Sequence, residues 1–373
     1  MYEINGKYTS AKVFTEVEDV DVTAQTFAIC NHPIFKDCKI RIMPDCHRGK
    51  GCTIGFTAEM PKNGEIIPNI IGVDQSCGML AIKLKRSKTL NDFVKLDKVI
   101  RKFVPFGQNG RKEISSLVLD ELTEKVKQIS IDYLNEKPNR DLRKIGSLGG
   151  GNHFISIEKG TTGTYLIIHS GSRNFGKKLA VYFQKLAIET NCYQESELKN
   201  LSYLTGKNAE NYLECAKVCN EYAHFNRLVI ANEILSNMSW KAENEFETIH
   251  NYIGQDNIIR KGAISCYEGE KVLIPLNMAD GSLICMGKGN SDWNNSAPHG
   301  AGRVLSRTQA KDKLTMQEYK KQMKNIFSSC VSISTLDEAP MAYKNSQEMI
   351  QAIEPTAEII DHLKPLYNFK AEE

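Results

Sequence analysis

Apolar runs are short throughout this 373-residue chain. None approaches 18 uncharged residues, so no membrane-spanning helix is expected. The opening MYEINGKYTSAKVF has neither an apolar core nor a small-residue cleavage site, which leaves the cytoplasm as the expected compartment. Paired cysteines are missing as well. The 11 thiols, an odd number, are scattered from Cys30 to Cys330 without a C-x-x-C, as in a reduced protein rather than a disulfide scaffold. Net charge is only +3, too small to name a class of partner. Repeats, low-complexity tracts and Pro- or Ser-rich linkers are absent. With 41% hydrophobic and 25% charged residues, the chain has the apolar content that disordered proteins lack, and residues 1–373 are expected to form a single domain.

What is present mixes two periods. Short apolar runs beside Gly or Pro predict strands at 40–43 (IRIM), 79–84 (MLAIKL), 165–169 (YLIIH) and 282–287 (SLICMG), and IPNIIGV at 67–73 reads as strand-like too. Helical spacing predicts helices over 91–104, 112–135, 176–190, 208–239, 315–327 and 345–363. The fourth carries Tyr212, Cys215, Cys219, Ala223, Leu228, Ala231 and Leu235, and is long enough to cross the molecule. Thr315 and Glu318 have the spacing of a capping box. The expected fold class is α+β, a compact body with a mixed β-sheet core surrounded by helices. Between Lys83 and Lys112 ten basic residues stand against Asp92 and Asp97, which suits either a phosphate-binding surface or a solvated helix face.

Chemistry concentrates in a few loops. Five of the eight histidines fall in segments made mainly of Gly, Asp, Asn, Ser and Arg: MPDCHRGKG (43–51), LGGGNHF (148–154), HSGSRNFG (169–176), HNY (250–252) and SAPHGAGR (296–303). Such loops are expensive to order and are usual where backbone approaches a ligand closely. Asp74-Gln75-Ser76-Cys77 sets a carboxylate and a thiol three residues apart across a tight turn. With His153, His169 and His250, these groups are enough to ligate two metal ions, and a Cys77 thiolate is able to bridge them. Ligand softness alone points to zinc. His299 has no carboxylate among its immediate neighbours, but Arg303 offers a cationic fork suited to phosphate. An uncharged imidazole is a competent nucleophile for phosphoryl transfer when cations stabilise the transferring oxygens.

MPDCHRGKG, GVDQSCGM, GGGNHF, HSGSR, HNY and SAPHGAGR, in that order, resemble the RtcB-type RNA ligases, and the likeness runs from about Asp45 to Lys370. The resemblance implies an RtcB-like fold and an enzyme that uses GTP and two Mn2+ ions. Such an enzyme joins RNA 2′,3′-cyclic phosphate or 3′-phosphate ends to 5′-hydroxyl ends. It implies that His299 takes GMP covalently, that Asp45 orients His299, and that the RNA end is then activated as RNA-3′-pp-G. It assigns Asp74, Cys77 and His153 to one metal and Cys77, His169 and His250 to the other, and Arg303 to the catalytic set. Nucleotide contacts are implied for Asn152, Asn277, Asp280, Ser282, Tyr343 and Lys370. An archease-like activator is a partner the resemblance admits, and RNA repair is the expected setting.

The chain departs from the family pattern in places. Many relatives read GNHFIE, with a nucleotide-contacting Glu where this chain has Ser156, and Glu158 follows two residues later. The loop PLNMADGS at 275–282 differs from the GSMG form, and Lys370 is followed by Ala371, Glu372 and Glu373 rather than by a terminal Gly. A metal-dependent phosphatase or phosphodiesterase acting on RNA ends is the alternative, and a non-catalytic RNA-binding protein a third reading. His299 separates them, because a hydrolase has no need of a nucleotidyl carrier.

Overall fold

The computed structural model describes residues 1–191 and 198–371. Two large sheets carry most of the predicted strands. The seven-stranded sheet runs, edge to edge, Lys271–Asn277, Gly281–Gly287, Ala357–Lys370, Phe154–Lys159, Thr164–Ser170, Gly78–Leu84 and Ala242–Ile249, with every neighbouring pair antiparallel. The six-stranded sheet runs Tyr2–Asn5, Ser10–Val13, Ile40–His47, Ile54–Glu59, Ile258–Lys261 and Tyr252–Ile253. It is mixed because Ser10–Val13 and Ile40–His47 pair in parallel. A two-stranded ribbon, Ala263–Ser265 with Ser296–Pro298, completes the strand pairing.

Alternation explains which faces are buried. Leu80, Ile82 and Leu84 of the Gly78–Leu84 strand join one apolar cluster, while Met79 and Ala81 join another, so this central strand is apolar on both faces. Its neighbour Phe154–Lys159 puts Ile155 and Ile157 into the first cluster. The side chains of Phe154, Ser156 and Glu158 are thereby left on the opposite face. The helix Gly206–Met238, 33 residues and roughly 50 Å long, packs Ile230, Ala231 and Ile234 onto the sheet and Tyr212, Cys219 and Tyr222 among the other helices. The result is a compact α+β body with mixed strands at its centre and helices around them.

Several predicted elements shift for physical reasons. The 345–363 segment is helical only over Ser346–Ala352, and Ala357–Lys370 is a strand. Pro355 cannot continue a helix, and the isoleucines at 359 and 360 favour extended backbone. IPNIIGV is not a strand: Pro68–Ile71 forms one helical turn with Pro at its start, where the missing N–H does no harm. The 112–135 helix begins only at Asp120, and the 315–327 helix covers Met316–Gln322. Thr315 caps it by accepting from the Glu318 amide at 3.3 Å, while the Glu318 carboxylate accepts from the Thr315 hydroxyl.

Candidate active site

Antiparallel order brings the histidine loops together. Cys77 precedes the first residue of Gly78–Leu84, His153 precedes Phe154–Lys159, His169 lies one residue before the end of Thr164–Ser170, and His250 follows Ala242–Ile249. In register, Met79 and Phe154 both stand opposite His169, and Gly78 stands opposite Ile249. Two strand starts and two strand ends therefore meet at one end of four adjacent strands. The long helix fixes these loops from behind. Asn226 accepts from the amides of Gly146 and Ser147 at 2.8 and 3.0 Å and donates to Ser170 and Gly171. Arg227, fully buried, donates to the carbonyls of Ser76 and Ser170 at 3.1 and 2.7 Å and pairs with Glu247 at 2.5 Å.

The side chains form two triads that share Cys77: Asp74, Cys77 and His153, and Cys77, His169 and His250, with the ligand atoms of each triad within 4.8 Å of one another. Cys77 Sγ lies 3.3 Å from His153 Nε2 and 3.2 Å from His169 Nε2. His153 Nδ1 donates to the Leu148 carbonyl at 2.9 Å and His169 Nδ1 to that of Asn152 at 3.2 Å, so in both rings Nε2 keeps its lone pair. Those lone pairs face other electron-rich atoms. His153 Nε2 is 3.0 Å from Asp74 Oδ2, and His169 Nε2 is 3.4 Å from His250 Nε2. A crowd of acceptors is unfavourable without a cation at its centre, so the donor set fits two metal ions. Burial lowers the pKa of His169 and His250 well below the usual imidazole value and keeps them uncharged. Burial and then Asp74 raise the Cys77 thiol, so a cation is needed to draw off its proton.

His299 follows the ribbon strand Ser296–Pro298 and reaches the same place from the other sheet's side. Its Nδ1 donates to Asp45 Oδ2 at 2.7 Å, and its ring centroid is 4.8 Å from that of His250. Asp45 is fully buried. Gly302, at φ +72, lets backbone pass so close to the Asp45 carbonyl that a Cβ would sit 2.2 Å from it.

A cavity of about 320 Å3 extends from His299 past Cys77, His169 and His250 to Lys370. Asn152, Asn277, Ser282 and Tyr343 line it, as does Arg303. Asp280 does not: its Oδ2 accepts from Asn277 at 2.8 Å and from Ser346 at 2.5 Å and holds the turn. Deeper in, Glu338 accepts from Lys370 and Tyr343, both at 2.7 Å, and pairs with Arg303 at 3.0 Å. Burial alone would raise its pKa; Lys370, Arg307 and Arg303 outweigh burial and bring it to about 2.

A model of the family described as tRNA-splicing ligase RtcB matches residues 25–371. The chain belongs to the RtcB family. It is 29% identical over 375 residues to the RNA-splicing ligase RtcB of Escherichia coli K12, covering 89% of each chain. It is 26% identical over 405 residues to the RNA-splicing ligase RtcB2 of another E. coli strain, covering 98% of each. With the tRNA-splicing ligase RtcB of Nanoarchaeum equitans it shares 25% identity over 400 residues, covering 83% of each. As an RtcB ligase it is an enzyme, and no helix among its described residues is long and apolar enough to cross a membrane.

Among the residues that line the cavity of this RtcB chain, Asn368 carried no signal in the sequence, and Glu158 was marked only by its offset from Ser156. Glu158 is 2% exposed, and its Oε2 has no partner; Asn368, 3% exposed, has the same orphan state at Oδ1. Burial pushes Glu158 up to about 7 against the hydroxyls of Ser156 and Ser282. Arg173, beside His153, donates to Ser147 Oγ at 3.2 Å and to the Gly107 carbonyl at 3.1 Å. Gly149 sits at φ +95, and a Cβ there would lie 2.0 Å from Arg173 Nη1. Gly149→Ala is therefore expected to lower stability by roughly 1–3 kcal/mol and to displace Arg173 from Ser147 and Gly107. Thermal unfolding with and without Mn2+ checks this, and an unchanged Tm would remove the argument.

Proposed function

We propose that this chain seals RNA: it joins a 2′,3′-cyclic phosphate or 3′-phosphate end to a 5′-hydroxyl end, using GTP and carrying GMP on His299. The observation that carries the reading is a His299 Nε2 freed by the Nδ1–Asp45 bond and facing the same cavity as Asp74, Cys77, His169 and His250 of the two triads. Two Mn2+ ions held by those triads would supply positive charge against the phosphate oxygens.

The chain's own residues account for the order of steps. His299 Nε2 attacks the α-phosphorus of GTP, the N–P bond forms, and pyrophosphate leaves with the electron pair of the broken P–O bond. Asp45 keeps the Nδ1 proton in place and stabilises the positive charge that develops on the ring. A 2′,3′-cyclic end is opened by water to a 3′-phosphate, with the 2′-oxygen leaving as a hydroxyl. A 3′-phosphate oxygen of RNA then takes the GMP, and the pair of the broken N–P bond returns to Nε2. Finally the 5′-hydroxyl attacks the activated 3′-phosphorus, loses its proton, and GMP departs. At the far end of the cavity, the orphan acceptors Glu158 Oε2 and Asn368 Oδ1 suit a base edge made of donors. Guanine offers N1–H and the N2 amino group there, whereas adenine offers a ring acceptor. GTP is thus the fitting nucleotide, and Glu158 takes up a task that Ser156 has no carboxylate to perform.

Incubation with GTP labelled at the α-phosphate and Mn2+ tests the reading. The expected result is label bound to protein, lost in acid and stable in alkali as a phosphoramidate is, and absent when the label is on the γ-phosphate. Release of phosphate from 3′-phosphate RNA with no GTP requirement and no adduct would make the chain a hydrolase instead.

A further inference from the structure

The chain crosses from one large sheet to the other within two residues. Ala242–Ile249 is an edge strand of the seven-stranded sheet, Tyr252–Ile253 is an edge strand of the six-stranded one, and His250 and Asn251 join them. Asn251 takes the left-handed conformation, at φ +64, which Asn adopts more readily than most residues. Its backbone carbonyl accepts from the Ser76 amide at 2.9 Å, beside the bond of 2.8 Å from the His250 amide to the Cys77 carbonyl. These two bonds stitch the crossover to the turn that carries Asp74 and Cys77.

The side chain of Asn251 reaches both ways. Its Nδ2 donates to the Asp74 carbonyl at 2.9 Å, and its Oδ1 accepts from the Gly262 amide at 2.8 Å. A carbonyl only accepts and an N–H only donates, so these partners fix the orientation of the carboxamide. Gly262 stands between Ile258–Lys261 and the ribbon strand Ala263–Ser265, and Ala263 pairs with Pro298, the residue before His299. Gly262 also backs the nucleophile's ring, since a Cβ built on it would lie 3.3 Å from His299 Cε1. One carboxamide thus spans from the metal-ligand turn to the backbone behind His299, in the wall of the cavity they share. The two ends depend on it unequally. The turn has other ties: Arg227 to the Ser76 carbonyl at 3.1 Å, Ser172 Oγ to the Gln75 carbonyl at 2.5 Å, and Gln75 to the Tyr212 hydroxyl at 2.9 Å. The Gly262 amide has Asn251 Oδ1 as its one hydrogen-bond partner among the described residues. Removing the carboxamide leaves the metal ligands held and loosens the backbone behind His299.

We infer that Asn251 is a positioning residue for GMP transfer to the protein: it holds the His299 ring at its working distance from the metal-ligand cluster. The inference rests on the ligase reading above. Attack of His299 Nε2 on the α-phosphorus of GTP needs the ring and the ligand cluster in one geometry, and small misplacements of a reacting atom are costly. Joining of an RNA end that is already activated makes no use of His299 as a carrier and needs the cluster alone. Loss of the Asn251 carboxamide therefore separates the two reactions, which a general loss of structure does not.

The test compares Asn251→Ala and Asn251→Gly with wild type in two reactions, both with Mn2+. One is single-turnover formation of the protein–GMP adduct from GTP labelled at the α-phosphate. The other is joining of RNA that already carries the 3′-pp-G end to a 5′-hydroxyl strand. In both variants adduct formation is expected to slow by roughly 10- to 100-fold at saturating GTP, a loss of rate and not of GTP affinity. Joining is expected to keep the wild-type rate. Gly is at ease at positive φ, so it separates loss of the carboxamide from backbone strain. Adduct formation restored in Asn251→Gly would assign the effect to strain and overturn the inference. Joining lost as fully as adduct formation would place the effect in the metal ligands and overturn it too. Wild-type protein separates this inference from the reading it rests on. No adduct on wild type sinks the ligase, whereas an adduct that forms as fast on both variants sinks only the role of Asn251.

Discussion

His299→Ala, supplied with RNA that already carries the activated 3′-pp-G end, is expected to seal it, while Cys77→Ala is expected to seal nothing. Cys77 Sγ belongs to both triads, so its removal takes a ligand from each metal at once. Loss of one charged ligand from two ions is enough to abolish GMP transfer to the protein and sealing together, a drop of several orders of magnitude. Cys77→Ser should rescue little, because a hydroxyl is far less acidic than a thiol and remains protonated. His299 is in neither triad, and its bonded partner is Asp45. Its removal eliminates the adduct yet leaves the ligand atoms in place, and on pre-activated RNA no carrier is needed. The measurement is gel-resolved joining of the two ends by each variant. Equal failure of both would mean that His299 also holds the RNA ends or the metals, and an adduct persisting on His299→Ala would remove the nucleophile assignment.

Glu158→Gln is expected to change two quantities in opposite senses. Discrimination between GTP and ATP in adduct formation should fall by roughly 10- to 100-fold, the size of one charged hydrogen bond replaced by a mismatched amide. Stability should rise. Burial holds the folded carboxyl at about 7, above its usual value of 4.5, so the folded state binds the proton more tightly than the unfolded chain. The ionised group therefore penalises folding. The penalty is absent below pH 4.5, grows as pH rises to about 7, and is complete above it. At pH 8 the variant gains up to about 3 kcal/mol, from 1.36 kcal/mol per pH unit, and the gain disappears towards pH 4.5. Urea unfolding of both proteins at pH 5 and pH 8 checks this. A gain of the same size at both pH values would mean that folding leaves the carboxyl unshifted, and a loss at pH 8 would mean that it is paired in the folded state.

The metal-ligand cluster is legible in the sequence because its residues are rare and mark strand ends. Histidine beside glycine is a local signal, and the antiparallel neighbours Gly78–Leu84, Phe154–Lys159 and Thr164–Ser170 convert distant signals into one place. Residues that act through partners far along the chain give no such signal. Arg227 and Asn226 sit inside a long helical pattern, and their partners lie 20 to 151 residues away. Glu338 reads as an ordinary acidic residue until Lys370, Tyr343 and Arg303 close around it. Charge counting is less informative. The helix Phe93–Phe103 docks through Leu96, Val99 and Ile100, and neighbouring cations are occupied by carboxylates, as in Lys83–Glu243 and Arg111–Glu233. Counting does not reveal which face a cation is on. The helix expected over 345–363 fails for a simpler cause, since its apolar spacing continues through Pro355 although its backbone cannot.

The strand Ala357–Lys370 lies between Gly281–Gly287 and Phe154–Lys159, so a strand from far along the sequence enters the middle of the sheet. Without it the sheet divides into two parts, each with an open edge. Lys370, which closes on Glu338 and lines the cavity that holds His299, belongs to that same strand. Closing the sheet and completing the cavity wall are thus one event, and a change that unpairs this strand is felt at both.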